Sequence, residues 1–225
     1  MTAIDATAVE ALTTAAKDPD SMSPPSAAVG AKSLSGDKAR RIIDAMRRSV
    51  ARRGTAGSTF DRVSREAGVS RGLLHYYFGT KEQLLVEAVR RDCELRLELL
   101  EGKLSTARSA DDFIDLMAQN LQQTLREDPD FVTLVFELFT LSRRNAEIAD
   151  EYAGLMRRTR ERVAGMLAVA QEGGILHLHA EPEAVAEILF SLGDGLALRM
   201  LSEPDRNFTP TIRAGITSVR ALLTD

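Results

Sequence analysis

From residue 37 onward, apolar side chains recur every three or four positions, the period of a helix buried along one stripe, and no run alternates as a half-buried strand would. The stripe Ala39, Ile42, Ile43, Met46 and Val50 predicts a first helix over about residues 37–53, ended by Gly54. Thr59 stands where it can cap a second, short helix that turns Phe60, Val63 and Ala67 inward, and Gly68 breaks that helix after two turns. Ser70 caps a third helix to about residue 76. Thr80-Lys81-Glu82-Gln83 fits a capping box for a long fourth. Ser109 and Asp112 form another box, for a helix to about residue 126, and Asp128-Pro129 supplies a cap and a first-turn proline for one ending near residue 141. A longer helix spans about residues 146–172 before Gly173-Gly174, and Pro182 and Thr209-Pro210 open the last two. The pattern predicts an all-α fold of about nine helices. Residues 1–36, rich in Ala, Ser, Thr and Asp and nearly devoid of large apolar side chains, read as a disordered tail.

Composition leaves this picture intact. The 225 residues are 44% hydrophobic and 28% charged, the balance of a soluble globular chain of one or two domains. A single cysteine, Cys93, cannot form an internal disulfide, so packing alone must hold the fold. The N-terminal stretch has neither a basic patch nor an apolar run of signal-peptide length, and no segment approaches the roughly 18 apolar residues of a membrane span. A cytoplasmic protein with no membrane partner is expected.

Charge changes the picture more. The formal net charge of −4 argues, as an average, against nucleic acid. Residues 37–92, however, carry thirteen basic and seven acidic side chains, a net of +6, whereas residues 93–225 carry a net of −8. A basic module therefore precedes an acidic helical body.

Helix, loop, short helix, Ala-Gly-Val turn and short helix is the layout of a helix-turn-helix. Val63, Ala67, Val69 and Leu74 make its seam, and Gly68 sits at the turn, where a positive φ costs glycine little. With Leu74 and Phe78 inward, the helical period leaves Arg71, Gly72, His75 and parts of Tyr76 and Tyr77 outward. Arginine can bond a guanine edge with both arms, and tyrosine and histidine can reach phosphates. Lys81 adds a charge at the start of the fourth helix, whose N-terminus already favours anions. The arginines of the first helix, Arg40, Arg41, Arg47, Arg48, Arg52 and Arg53, read as a solvated face that raises the local potential.

The continuous segment from Thr59 to Leu85, and above all Ala67-Gly68-Val69-Ser70-Arg71-Gly72-Leu73-Leu74-His75-Tyr76-Tyr77-Phe78-Gly79-Thr80-Lys81, resembles the DNA-binding domain of the tetracycline-repressor (TetR) family. The resemblance implies that Thr59 binds phosphate, that Arg71, Gly72 and Leu73 face base edges, and that His75, Tyr77 and Lys81 clamp the backbone. Ser70 and Tyr76 complete the candidate DNA surface. His75 stands where this family often has tyrosine, and Tyr77 where it often has histidine. Leu73 replaces a frequent small polar residue, which suits a thymine methyl better than a hydrogen bond.

The same resemblance gives the body its expected tasks. A helix-turn-helix of this kind reads a pseudo-palindrome as a dimer, and the final two helices are the candidates for pairing, with Leu189, Leu192 and Leu196 on one and Ile212, Ile216 and Val219 on the other. Residues 131–141 are apolar nearly all round and predict a buried helix. With the flanking helices they suggest a pocket for a small, largely apolar effector, walled by Phe113, Met117, Leu121, Phe136, Glu137, Phe139 and Met156. By residue type alone that stripe reads as core. Glu137, the one charge among residues 131–141, either pairs with Arg157 or Arg158 or orients a ligand.

No catalytic constellation, P-loop or dinucleotide fingerprint appears, and no cofactor or metal is expected. His177 and His179 read as a solvent-exposed pair without further ligands at metal spacing. Cys93, with Arg90, Arg91 and Arg96 nearby in sequence, reads as a packed or surface thiol in preference to a redox switch. The expected organisation is a tail (1–36), a DNA-binding domain (37–92) and an effector-binding and dimerisation domain (93–225). The expected function is a homodimeric repressor on double-stranded operator DNA, released when an effector swings the fourth helices and moves the reading modules out of register. The alternatives are a regulator or activator of the same fold without an effector and, more remotely, a helical-bundle enzyme.

Overall fold

The computed structural model describes residues 36–224, so the tail expected over residues 1–36 lies, apart from Gly36, outside the described residues. Among the described residues there are nine α-helices and no strand: α1 (Gly36–Gly57), α2 (Phe60–Ala67), α3 (Arg71–Phe78), α4 (Lys81–Leu104), α5 (Ala110–Glu127), α6 (Pro129–Ser142), α7 (Ala146–Glu172), α8 (Pro182–Ser202) and α9 (Thr209–Leu223). The nominal extra turn of α1 is not a continuation. Gly54, at φ 65° and ψ 174°, breaks the regular helix beside its expected end, in a region that only glycine enters readily.

Most of the starts follow their caps. The hydroxyls of Ser70, Thr80 and Ser109 accept from the amides of Leu73, Gln83 and Asp112 at 3.2, 3.1 and 3.1 Å, and Asp128 accepts from Phe131 N at 3.3 Å. Three details differ from the sequence reading. The Thr59 hydroxyl makes no capping bond, although its carbonyl accepts from Arg62 N and Val63 N. Gln83 does not close its box, because its amide group donates to Glu147 across the fold at 2.9 Å. Asp112 reaches back one residue further than a box requires and accepts from Arg108 N at 3.1 Å.

Two apolar clusters fill the interior. The front one gathers Ile42, Met46 and Val50 of α1, Val63 and Ala67 of α2, Leu74 of α3, and Leu84, Leu85 and Val89 of α4. It extends past residue 92 to Leu134 and Leu138 of α6 and Ile148 and Leu155 of α7. The rear one joins Leu97 and Leu100 of α4, Phe113 and Ile114 of α5, Val163 and Leu167 of α7, Val185 of α8 and Leu223 of α9. Helices α4 and α7 thus contribute to both.

The helix expected to be buried on all sides is not. In α6 only Val132, Leu134, Leu138 and Ser142 are buried, and Phe139 is 46% exposed, its ring tilted against Tyr152 at 5.9 Å. The helix packs on α1 and α7, and other parts of it meet solvent or open interior space.

Candidate nucleic-acid interface and effector cavity

The front of the molecule presents α3 on a rigid frame. Leu74 is fully buried, Gly68 takes φ 64° and ψ 41°, and its amide and that of Val69 return to Arg65 and Ser64 carbonyls, which closes α2 and aims α3. Arg71, Gly72, His75 and Tyr76 are exposed along α3, Tyr76 by 60%. Arg71 folds back on its own module: its guanidinium lies 3.2 Å from Asp61, and Nε donates to His75 Nε2 at 3.3 Å. That leaves His75 Nδ1 toward the Gly79 carbonyl, 3.3 Å away, while the ring meets Phe60 edge-on at 4.7 Å. Tyr76 and Tyr77 stack as a T at 5.1 Å, with Tyr77 half-buried. Ser70 and Thr59 are exposed at the starts of α3 and α2.

Two of the candidate residues sit deeper than the resemblance implies. Leu73 is half-buried against the front cluster, because its position on α3 adjoins Leu74. Lys81 is half-buried and donates to the Thr55 carbonyl at 3.0 Å. The arginines of α1 also divide. Arg40, Arg41 and Arg53 are exposed, whereas Arg48 and Arg52 both grip Glu66, at 2.7 and 2.9 Å. Those hydrogen bonds, the one from Arg48 foremost, hold the Glu66 carboxyl below its ordinary range. Arg47 turns inward to an ion cluster with Asp92 and Asp128 and is not part of a solvated face.

Behind this frame lies a cavity of about 580 Å³, bordered by α4 to α9. Met117 and Leu121 of α5 and Phe136 of α6 stand in its wall, with Cys93 and Leu97 of α4 and Phe190 of α8. Four residues expected there are elsewhere. Phe113 is 2% exposed and consumed by the rear cluster. Met156 packs on the front cluster, and Phe139 faces outward. Glu137 meets neither Arg157 nor Arg158. Its carboxylate turns toward α1 and accepts from the Thr55 amide at 3.0 Å and the Thr55 hydroxyl at 2.6 Å.

Sequence reasoning missed Arg96, although its place between Cys93 and Leu100 on the inner stripe of α4 was a signal. It borders the cavity, lies 4.1 Å above the Phe131 ring, donates to the Thr124 hydroxyl at 3.2 Å and pairs with Asp128. Asp194 was missed as well. Its carboxyl borders the cavity and is pushed up, by burial first and then by Glu187. Cys93 is buried, and burial raises its thiol to about 12, outweighing Arg96, so its environment is that of a packed thiol.

The six residues expected at a dimer interface, Leu189, Leu192, Leu196, Ile212, Ile216 and Val219, all border the same cavity. Ile188, Leu198 and Leu201 of α8 are exposed beside them. His177 and His179 are exposed, and the loop they occupy is tied to the end of α9, with His179 Nε2 2.9 Å from the Thr224 carbonyl. Among the described residues no group of three or more possible metal ligands occurs, and no helix is long and apolar enough to cross a membrane.

A capped short helix, set by a glycine turn on a basic frame and joined to a helical body with a cavity, defines the class of helix-turn-helix regulators. Residues 42–88 match the sequence profile described as bacterial regulatory proteins of the tetR family, and residues 110–221 match that of the BetI-type transcriptional repressor C-terminal region. The chain belongs to the TetR family: it is a transcriptional regulator and not an enzyme.

Among its relatives, the HTH-type transcriptional regulator PksA of Bacillus subtilis is 26% identical over 187 residues, 78% of this chain and 84% of the relative. The HTH-type transcriptional regulator BetI of Rhizobium meliloti is 26% identical over 164 residues, 71% and 76% of the two chains. Solved structures share the fold. A transcriptional regulator from Saccharomonospora viridis in complex with choline has a TM-score of 0.68 at 23% identity, covering 85% of this chain and 100% of its own. FadR from Bacillus subtilis in complex with stearoyl-CoA has 0.67 at 17% identity, covering 80% and 98%.

Proposed function

We propose that the protein is a homodimeric repressor that binds a pseudo-palindromic operator and releases it when a small, largely apolar effector enters the cavity behind α4. The observation that carries this reading is the cavity itself, walled by Met117, Leu121 and Phe136 and placed directly behind a DNA-reading frame. Related folds hold small molecules, choline in one and stearoyl-CoA in another.

Within the packed unit of the described residues, residues 37–92 read DNA and the region expected over residues 93–225 takes the effector and a second copy. Arg71 and Gly72 meet base edges, with Leu73 against a thymine methyl where its half-buried position lets it reach. Thr59, Ser70, His75, Tyr76, Tyr77 and Lys81 hold phosphates. The exposed Ile188 and Leu192, one turn apart on the same face of α8, extend an apolar surface to the partner. The repressor works in the cytoplasm on the nucleoid.

Salt-titrated binding by the full chain to duplexes selected from a randomised pool tests this reading. Arg71→Ala is expected to lose about 1–3 kcal/mol of discrimination at one operator position, whereas Lys81→Ala weakens all sequences alike. Binding without sequence preference in the wild type overturns the reading. An equal loss on every sequence for Arg71→Ala makes that residue a phosphate contact.

A further inference from the structure

Resting on that reading of the cavity, we propose that α6 couples it to the DNA-reading frame through two carboxylates that anchor α1: Asp128 at the helix start and Glu137 within it. Between them, Phe131, Val132, Val135 and Phe136 border the cavity. Nine residues separate the anchors, about 14 Å of helix rise, so α6 spans the back of α1 as a brace with the cavity on its other side.

The Glu137 anchor is built around one residue. Thr55 gives its amide and its hydroxyl to the Glu137 carboxylate, and its carbonyl accepts from Lys81 Nζ. The end of α1, the interior of α6 and the first turn of α4 therefore meet at a single residue, Thr55. Gly54 lets them approach. Its backbone lies where other residues are strained, and a Cβ there would stand 3.4 Å from Glu137 Oε1.

The Asp128 anchor is the one that reaches the cavity, through its partner Arg96. Asp128 accepts from Arg47 Nη2 of α1 at 2.5 Å and from Arg96 of α4, while it caps α6 through Phe131 N. Arg47 Nε also lies 2.9 Å from Asp92 of α4, in ionic contact without hydrogen-bond alignment. Burial opposes the Arg47 charge, yet Asp92 and Asp128 outweigh it and hold the guanidinium firmly protonated. Arg96 has one side in this cluster and the other in the cavity, over Phe131.

A molecule entering beside Phe131 must share that ring and displace the guanidinium above it. Displacement takes Arg96 from Asp128 and leaves Arg47 and Asp128 in a different charge balance. A half-buried cluster of two cations and two carboxylates resists such partial loss, because removal of one member leaves another unpaired. Occupancy is thereby read as a shift of α6 against α1. Arg96 and Glu137 are positioning residues: neither needs to touch DNA.

Cys93 borders the cavity but is a buried, unreactive thiol, so the covalent occupant is placed at the half-buried Leu121 of the same wall. The full chain carrying Cys93→Ala and Leu121→Cys, wild type at every other position, has a single thiol and is treated with benzyl methanethiosulfonate, with loading confirmed by intact mass. Two quantities are then read: affinity for a selected duplex, and amide exchange around Thr55. Loading is expected to lower the affinity of this parent chain about tenfold and to speed exchange at Thr55. Arg96→Gln and Glu137→Ala, each added to the parent, should load equally, with the effect on affinity reduced to about threefold or less.

The parent's full loss on loading in both variants overturns the coupling and spares the effector reading. Loading that leaves the parent's affinity unchanged overturns the effector reading and the coupling with it. Glu137→Ala lies outside the ion cluster and carries the test alone if Arg96→Gln fails to fold.

Discussion

The two halves of α4 sit in different kinds of interior. Leu84, Leu85, Ala88 and Val89 have no measurable exposure, and Leu84, Leu85 and Val89 belong to the front cluster. Cys93, Leu97 and Leu100, on the same helix and in the same register, border open space. The stripe is equally apolar in both halves. What differs is the neighbours: in front, α1, α2 and α3 close on the stripe together with α6 and the front half of α7, whereas behind, the helices surround a volume they do not fill. A hydrophobic period therefore marks which face turns inward, and leaves open whether anything fills the space it meets.

Side-chain deletions in the two interiors should differ most in their cost. Leu74→Ala, at a fully buried site, is expected to cost about 2–5 kcal/mol in denaturant unfolding, since a sealed core cannot collapse around the gap. Leu189→Ala should cost well under half as much, because its side chain is half-buried and already borders empty volume. Equal losses would mean that the cavity wall is as tightly packed as the front.

A smaller effect isolates the glycine turn of the front. Gly68→Ala meets nothing closer than Arg41 Nη1 at 3.9 Å, so its expected loss of about 1–2 kcal/mol is backbone strain alone. An unchanged melting temperature would show that the turn yields.

The smallest effect is on the frame's surface. Glu66 has its carboxyl held low by Arg48 and Arg52, so its contribution is present above the unfolded-state pKa and lost as pH falls through the folded value. Glu66→Gln should therefore cost up to about 1 kcal/mol at neutral pH, and nothing below the glutamate range. A deficit that persists in acid would point to lost packing instead of lost charge.

Much of the fold could be read in the sequence because its signals are local. Caps such as Ser70, Ser109 and Asp128 act over three residues, and Gly54 and Gly68 act on their own backbone, so helix limits followed closely. The seam of Val63, Ala67 and Leu74 was legible for the same reason. Glu137 was not, since its partner Thr55 lies 82 positions away and no periodicity links the two. Arg47 looked solvated for lack of any sequence hint that Asp128, 81 positions on, would reach it. The wall of the cavity was half legible. Met117, Leu121 and Phe136 stand in it, while Phe113 and Met156 are apolar side chains of the same kind that found denser neighbours. Which apolar residue borders a void depends on where the surrounding helices lie, and no single helix encodes that.

Helices α4 and α7 each place one half of their length in the front cluster and the other in the rear. Neither cluster is complete without both helices, so the reading frame cannot be cut away at residue 92 with its interior intact. Leu134, Leu138, Ile148 and Leu155 would be left behind. Heat or denaturant should find one cooperative transition across the packed unit. A chimera that borrows this frame for another body would have to bring α6 and the front half of α7 along with it.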